Sequence, residues 1–171
     1  MVSMKPGFQK PLQKLVFAGL CAALTLLLTM VAFPLPTLAG AYVNLGDVGV
    51  YLAAFALGGP VGALSAAVGS MLADILLGSV VYALPTFLIK GAMAFSASLL
   101  LHKVNMRPFF ALALAGILMP IGYFVFEAAL YSPAAALAGL LPNCGQYAAG
   151  VALGLPVLRI AQSMLKGRNI S

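Results

Sequence analysis

The sequence predicts an all-α integral membrane protein with six transmembrane helices and both termini in the cytoplasm. Three observations carry that expectation. First, 63% of the 171 residues are hydrophobic and only 7% are charged, whereas a soluble domain carries about 25% charged residues; mean hydropathy is +1.10. Second, the apolar residues gather in runs near the length of about 20 that a helix needs to cross a bilayer, with breaks of proline, glycine and basic residues between them. Third, the basic residues cluster between those runs in the way that marks cytoplasmic loops. An aqueous globule, charge-rich disorder and a disulfide scaffold built on 2 Cys are thereby excluded. The net charge of +6 would suggest nucleic acid in a soluble protein; its placement here reads as membrane topology, with no nucleic-acid partner.

Taken in order, residues 1–14 form a cytoplasmic basic lead with Lys5, Lys10 and Lys14, residues 15–165 a single six-helix membrane domain, and residues 166–171 a cytoplasmic tail. The first apolar run, 15–33, stops at Pro34-Leu35-Pro36. A signal peptide cleaved near Ala39-Gly40-Ala41 is its rival, but the core is too long for one and the rest of the chain is equally membranous. Residues 48–57 are apolar but short; Gly58-Gly59-Pro60 breaks them from 61–77. Two spans or a re-entrant hairpin both leave the same parity. Residues 82–101 make a fourth segment, closed by the polar stretch 102–107, and 109–130 a fifth with Pro120 in its middle. Ser132-Pro133 and Pro142-Asn143 bracket a loop, and the last span runs over 146–164. The three outer loops, 34–46, 78–81 and 131–143, hold no Lys or Arg, while eight of the nine basic residues fall on the other side. The positive-inside rule then sets the orientation.

Small residues mark helix contacts, because helices in a bilayer approach closely where Gly, Ala, Ser and Thr line a face. Ala18, Ala22, Thr25 and Thr29 form one such stripe, and Ala63, Ala67, Ser70 and Asp74 another. Internal packing accounts for the second. For the first, a partner docking at Ala18 and Ala22 is an equal alternative.

Ionisable groups at membrane depth are costly and usually functional. Asp47, Asp74, Lys90 and Glu127 all fall in the outer half, and the inner half has no polar groups that could continue a path, so the pattern suits an outward-opening cavity. Thr86, Phe87 and Tyr82 share a helical face with Lys90, while Tyr123 and Tyr131 share one with Glu127. Asn143, Gln146, Tyr147 and Gly150 form a polar, small stripe at the same depth. Aromatic walls with a few convergent polar groups are what a small-molecule pocket needs. Plain structural roles stand beside these: Asp47 as a helix N-cap, Asp74 as a helix cross-link, Lys90 paired with Glu127, Tyr131 as an interfacial residue, and His102 as a solvated group. Cys21 and Cys144 have no metal spacing. There is no phosphate-binding loop, no HExxH and no GxSxG, so neither ATP hydrolysis nor catalysis, metal or cofactor is expected of this chain.

The stretch Asn44-Leu45-Gly46-Asp47, followed by Tyr51-Leu52-Ala53-Ala54 and Leu57-Gly58-Gly59-Pro60-Val61-Gly62-Ala63-Leu64, continues through Val68-Gly69-Ser70 and Leu72-Ala73-Asp74 to Thr86-Phe87-Leu88-Ile89-Lys90-Gly91. It resembles the substrate-binding S components of energy-coupling factor (ECF) vitamin transporters, in the riboflavin, pyridoxine and hydroxymethylpyrimidine branch. The motif covers residues 40–98; beyond it, only span count, length and orientation agree. The resemblance implies a pocket built from the first outer loop, which carries Asn44, and the outer halves of helices four to six, where Thr86, Lys90, Tyr123, Glu127, Asn143, Gln146 and Tyr147 lie. It also implies docking through Ala18 and Ala22 on a transmembrane coupling subunit driven by two cytoplasmic ATPases. The substrate would be a small water-soluble vitamin, with a pyridoxine-like or pyrimidine-like compound ahead of riboflavin and a deazapurine. A stand-alone secondary transporter or channel, and a non-transporting membrane subunit, are the competing functions.

Overall fold

The computed structural model describes residues 11–34 and 42–168. The basic lead up to Lys10, the cleavage-site rival at Ala39-Gly40-Ala41 and the last three residues of the tail lie outside them. The elements run α1 (Pro11–Met30), β1 (Ala32–Pro34), β2 (Tyr42–Asn44), α2 (Gly46–Leu57), α3 (Gly59–Leu76), α4 (Val80–Ser98), α5 (Pro108–Gly116), α6 (Leu118–Leu130) and α7 (Pro133–Arg168). A wide π-type turn, Leu99–Lys103, extends α4. Five stretches among the described residues are long and apolar enough to cross a membrane, with α5 and α6 counting as one, and α2 is a sixth, shorter apolar helix. The protein is thus a multi-pass membrane protein. One end of the bundle carries the β1–β2 hairpin and the α3–α4 and α6–α7 turns; the other, the basic end, carries His102, Lys103 and Arg107.

Local chemistry sets each boundary. The first apolar run was expected to stay helical to residue 33, but α1 ends at Met30 and Ala32–Pro34 pairs antiparallel with Tyr42–Asn44. Inside α1 the hydroxyls of Thr25 and Thr29 bond back to the carbonyls of Cys21 and Thr25, at 2.8 and 2.7 Å, so both polar side chains can be buried. The reversal from α2 to α3 needs Gly58 and Gly59, both at positive φ (66° and 49°), where a side chain would be strained. Pro120 has no N–H for the Gly116 carbonyl and its ring crowds that group, which is where α5 stops and α6 begins. The expected loop over 131–143 is instead the head of α7. Ser132 Oγ accepts the Ala135 N–H at 3.2 Å, Pro133 takes the first helical position, and the alanines that follow are strong helix formers. Pro142 is tolerated because the bond it cannot donate concerns Ala138, and both residues border an open cavity.

The core is centred on α2, with Met93 and Ala97 of α4, Leu112 of α5 and Leu158 of α7 packed around it. Val50, Tyr51, Ala53 and Ala54 have no exposed surface, and the Tyr51 hydroxyl donates to the Leu112 carbonyl at 3.0 Å. Glycines let the neighbouring backbones close on it: a Cβ at Gly49 would lie 2.7 Å from Thr25 Cα, and one at Gly154 2.9 Å from the Tyr51 ring. The outward faces of the long helices carry Leu15, Leu20, Leu84, Leu88, Val125 and Ile160 exposed, as a lipid-facing surface requires. His102 is not the solvated group expected from sequence. Its Nε2 lies 3.0 Å from the Phe55 carbonyl and its ring stacks on Phe55, because α4 runs past the end of the shorter α2.

Candidate functional site: a cavity above the short helix

At 12 residues, α2 rises only about 18 Å, against an apolar core of about 30 Å. Its neighbours continue past its N-terminus, and the space they enclose toward the hairpin end is a cavity of about 670 Å³. That is within the usual range of small-molecule sites, about 300–1,000 Å³.

The floor is a closed polar network. Lys90 of α4, 4% exposed, donates to Asp47 of α2, which has no exposed surface. Gln146 Nε2 of α7 donates to the other oxygen of Asp47 at 3.3 Å, Gln146 Oε1 accepts the Asn44 N–H at 3.3 Å, and Asn44 Oδ1 accepts the Gly46 N–H at 2.9 Å. Four elements are thereby tied together around one buried charge pair. Such a pair survives in low dielectric only when its remaining hydrogen-bonding positions are also filled.

The wall is looser. Thr86 and Tyr123 share a hydrogen bond at 2.8 Å, and the Lys90 ammonium sits 5.8 Å from the Tyr123 ring centre. The Tyr82 hydroxyl donates to Glu127 Oε1 at a long 3.4 Å, and the Tyr82 ring meets Phe126 edge-on. The carboxylate backs onto Gly139 of α7, where any Cβ would collide with Oε2. Glu127 Oε2 and Ser70 Oγ are buried with no hydrogen-bond partner among the described residues. Thr29, Asp74 and Asn143 also line the cavity, as does Tyr131, which is 57% exposed.

Residues 10–163 match the family described as ECF-type riboflavin transporter, S component. The chain belongs to that family. An S component is the substrate-binding subunit of an ECF transporter for vitamin-type substrates, a transporter family rather than an enzyme family, and it works in a membrane complex with a coupling component and ATPases. The S component here is 32% identical over 152 residues, 88% of each chain, to "Thiamine precursor transporter HmpT" of Lactococcus lactis subsp. cremoris. It is also 32% identical over 134 residues to a gap 3′-region protein of Pyrococcus woesei, covering 77% of this chain and 89% of that one. Its fold matches a solved bacterial ECF transporter S component with a TM-score of 0.76 at 20% identity, covering 92% of this chain and 99% of that one.

Seven of the eight residues singled out from sequence line the cavity: Asn44, Thr86, Lys90, Tyr123, Glu127, Asn143 and Gln146. Tyr147 does not. Its hydroxyl donates to the Ala113 carbonyl at 3.0 Å and its ring packs on Gly116, because it points about 100° away from Gln146 around α7. Asp47 is not a side-chain cap; Asn44 serves the α2 backbone, leaving the Asp47 carboxylate to Lys90. Lys90 accordingly pairs with Asp47 and not with Glu127. Ala18 and Ala22 are half-buried, and the Ala22 carbonyl lies against Gly69, so the stripe on α1 is used at least partly for packing on α3. Thr29, Ser70, Ser79 and Gly139 are lining residues that sequence reasoning missed. The only signal for Ser70 was its place on the Asp74 stripe.

Proposed function

We propose that this cavity is the substrate site, that it opens to the outside of the cell, and that it takes a water-soluble vitamin or vitamin precursor built on a nitrogen heterocycle. The observation that carries this reading is the position of the cavity at the end of the bundle opposite His102, Lys103 and Arg107. Basic loops mark the cytoplasmic side, so the termini lie in the cytoplasm and the cavity faces out. Thr86, Lys90, Tyr123, Glu127, Asn143, Gln146 and Asn44 form the binding surface, with Lys90 acting through the floor network. The thiamine-precursor relative supports a ring of pyrimidine size and type. The captured compound passes to a transmembrane coupling subunit powered by two cytoplasmic ATPases, with no chemical step in this chain. The least buried of the five long helices is α1, which supports it as the docking element at the level of Ala18 and Ala22. The test is calorimetry of the purified protein in detergent against a panel of vitamins, vitamin precursors and nucleobases. One heterocycle is expected to bind saturably at one per chain. Failure of the whole panel, or uptake in cells that persists without the ATPases, overturns the reading.

A further inference from the structure

The reversal from α2 to α3 opens one hydrogen bond that a continuous helix would make. In an unbroken helix the Gly59 N–H would bond the Phe55 carbonyl, i to i−4. Gly58 and Gly59, both at positive φ, turn the chain there and separate the two groups. Phe55 is 4% exposed and its carbonyl lies in the last turn of α2, where helix carbonyls have no internal partner.

The far end of α4 closes both sides of this gap. Ser98 Oγ accepts the Gly59 N–H, and one turn later His102 Nε2 lies 3.0 Å from the Phe55 carbonyl, with the two rings stacked. A carbonyl only accepts, so Nε2 carries the hydrogen. The π-type turn keeps His102 in place for this contact. In a regular α-helix His102 would stand about 120° around the axis from Lys90. The wider turn, closed by a 3.1 Å bond from the Val104 N–H to the Leu99 carbonyl, holds it on the α2 side. Wide turns of this kind recur at functional sites.

The same two helices meet again at the other end of α2, where Lys90 donates to Asp47. Asp47 and Phe55 are about 12 Å apart along a helix enclosed by its neighbours. We propose that His102 is a positioning residue for the cavity floor: by bonding the Phe55 carbonyl it fixes α2 against α4 at the basic end of the bundle, and α2 carries that constraint to Asp47, which stays in register with Lys90 and Gln146. His102 itself is not part of the cavity lining. Only the ligand arm of the test rests on the cavity being the substrate site.

A double-mutant cycle, read by reversible unfolding of the full chain in mixed detergent, tests it. Sites this far apart with no shared partner normally act additively. His102→Leu leaves the Phe55 carbonyl buried without a donor and is expected to raise the unfolding equilibrium constant about 10-fold. In an Asp47→Asn background the same change is expected to cost about 5-fold less. Where Asp47→Asn does not fold, Gln146→Leu removes neutral bonds of the same floor and completes the cycle. His102→Gln, whose amide can donate to the same carbonyl, is expected to restore both the stability and the coupling. In calorimetry with riboflavin and with a hydroxymethyl aminopyrimidine, His102→Leu is expected to weaken whichever compound binds by about 5-fold, and His102→Gln to recover it. An additive cycle, or an unaltered ligand affinity in His102→Leu, overturns the positioning role while the cavity reading stands. If neither compound binds the parent protein, the choice of heterocycle fails and the cycle alone decides the role of His102.

Discussion

The floor and the wall of the cavity each hold a carboxylate, and the protein treats the two in opposite ways. Asp47 is saturated by a lysine ammonium and a glutamine amide, in a setting where four elements converge and every member is buried. Glu127 has one long contact with Tyr82 and a second oxygen with no partner among the described residues. Helix packing explains the difference. The floor is built on α2, which glycines allow to be enclosed on all sides, whereas the wall lies between α6 and the head of α7, where the cavity replaces a packed neighbour. A saturated buried charge pair of this kind is structural.

The largest expected effect breaks the floor. Asp47→Ala strands the Lys90 ammonium in a buried site, which costs about 3–5 kcal/mol, and should show as a large fall in unfolding midpoint in detergent. Replacing Asp47 and Lys90 together with leucines should restore most of that loss. If the single variant is as stable as the parent, the floor does not anchor the fold. A smaller effect is expected from Gly49→Val. A Cβ there would meet the α1 backbone at Thr25 Cα, 2.7 Å away, and backbone cannot yield as a side chain can. Overpacking of this kind costs about 1–3 kcal/mol, again read from the unfolding midpoint. The smallest expected effect sharpens the boundary of the site. Tyr147→Phe loses the bond to the Ala113 carbonyl, about 1 kcal/mol, and should leave ligand affinity unchanged; altered affinity would return Tyr147 to the cavity.

Much of this arrangement was legible in the sequence, and the misses have physical reasons. The cavity was visible because four ionisable residues in an otherwise apolar chain point to a common depth, and membrane cost makes each of them informative. Their pairing was not visible. Asp47 and Lys90 are 43 residues apart, and no helical period links them, so Glu127 was an equally good partner until the helices were placed. The head of α7 was read as a loop because Pro133 and Pro142 are usual breakers, but one sits at the first helical position and the other beside open space. Gln146 and Tyr147 are neighbours on a helix with no clear apolar stripe, and without one, sequence cannot say which of them looks into a cavity.

What the sequence alone determined was the solvent, the helices long enough to cross it and the depth of the polar groups, all of which follow from composition and from the length of apolar runs. The tertiary structure alone decided how far α2 reaches and what surrounds its end. Those depend on close glycine contacts between segments far apart in the chain, and from them follow both the cavity and the different bonding of its two carboxylates.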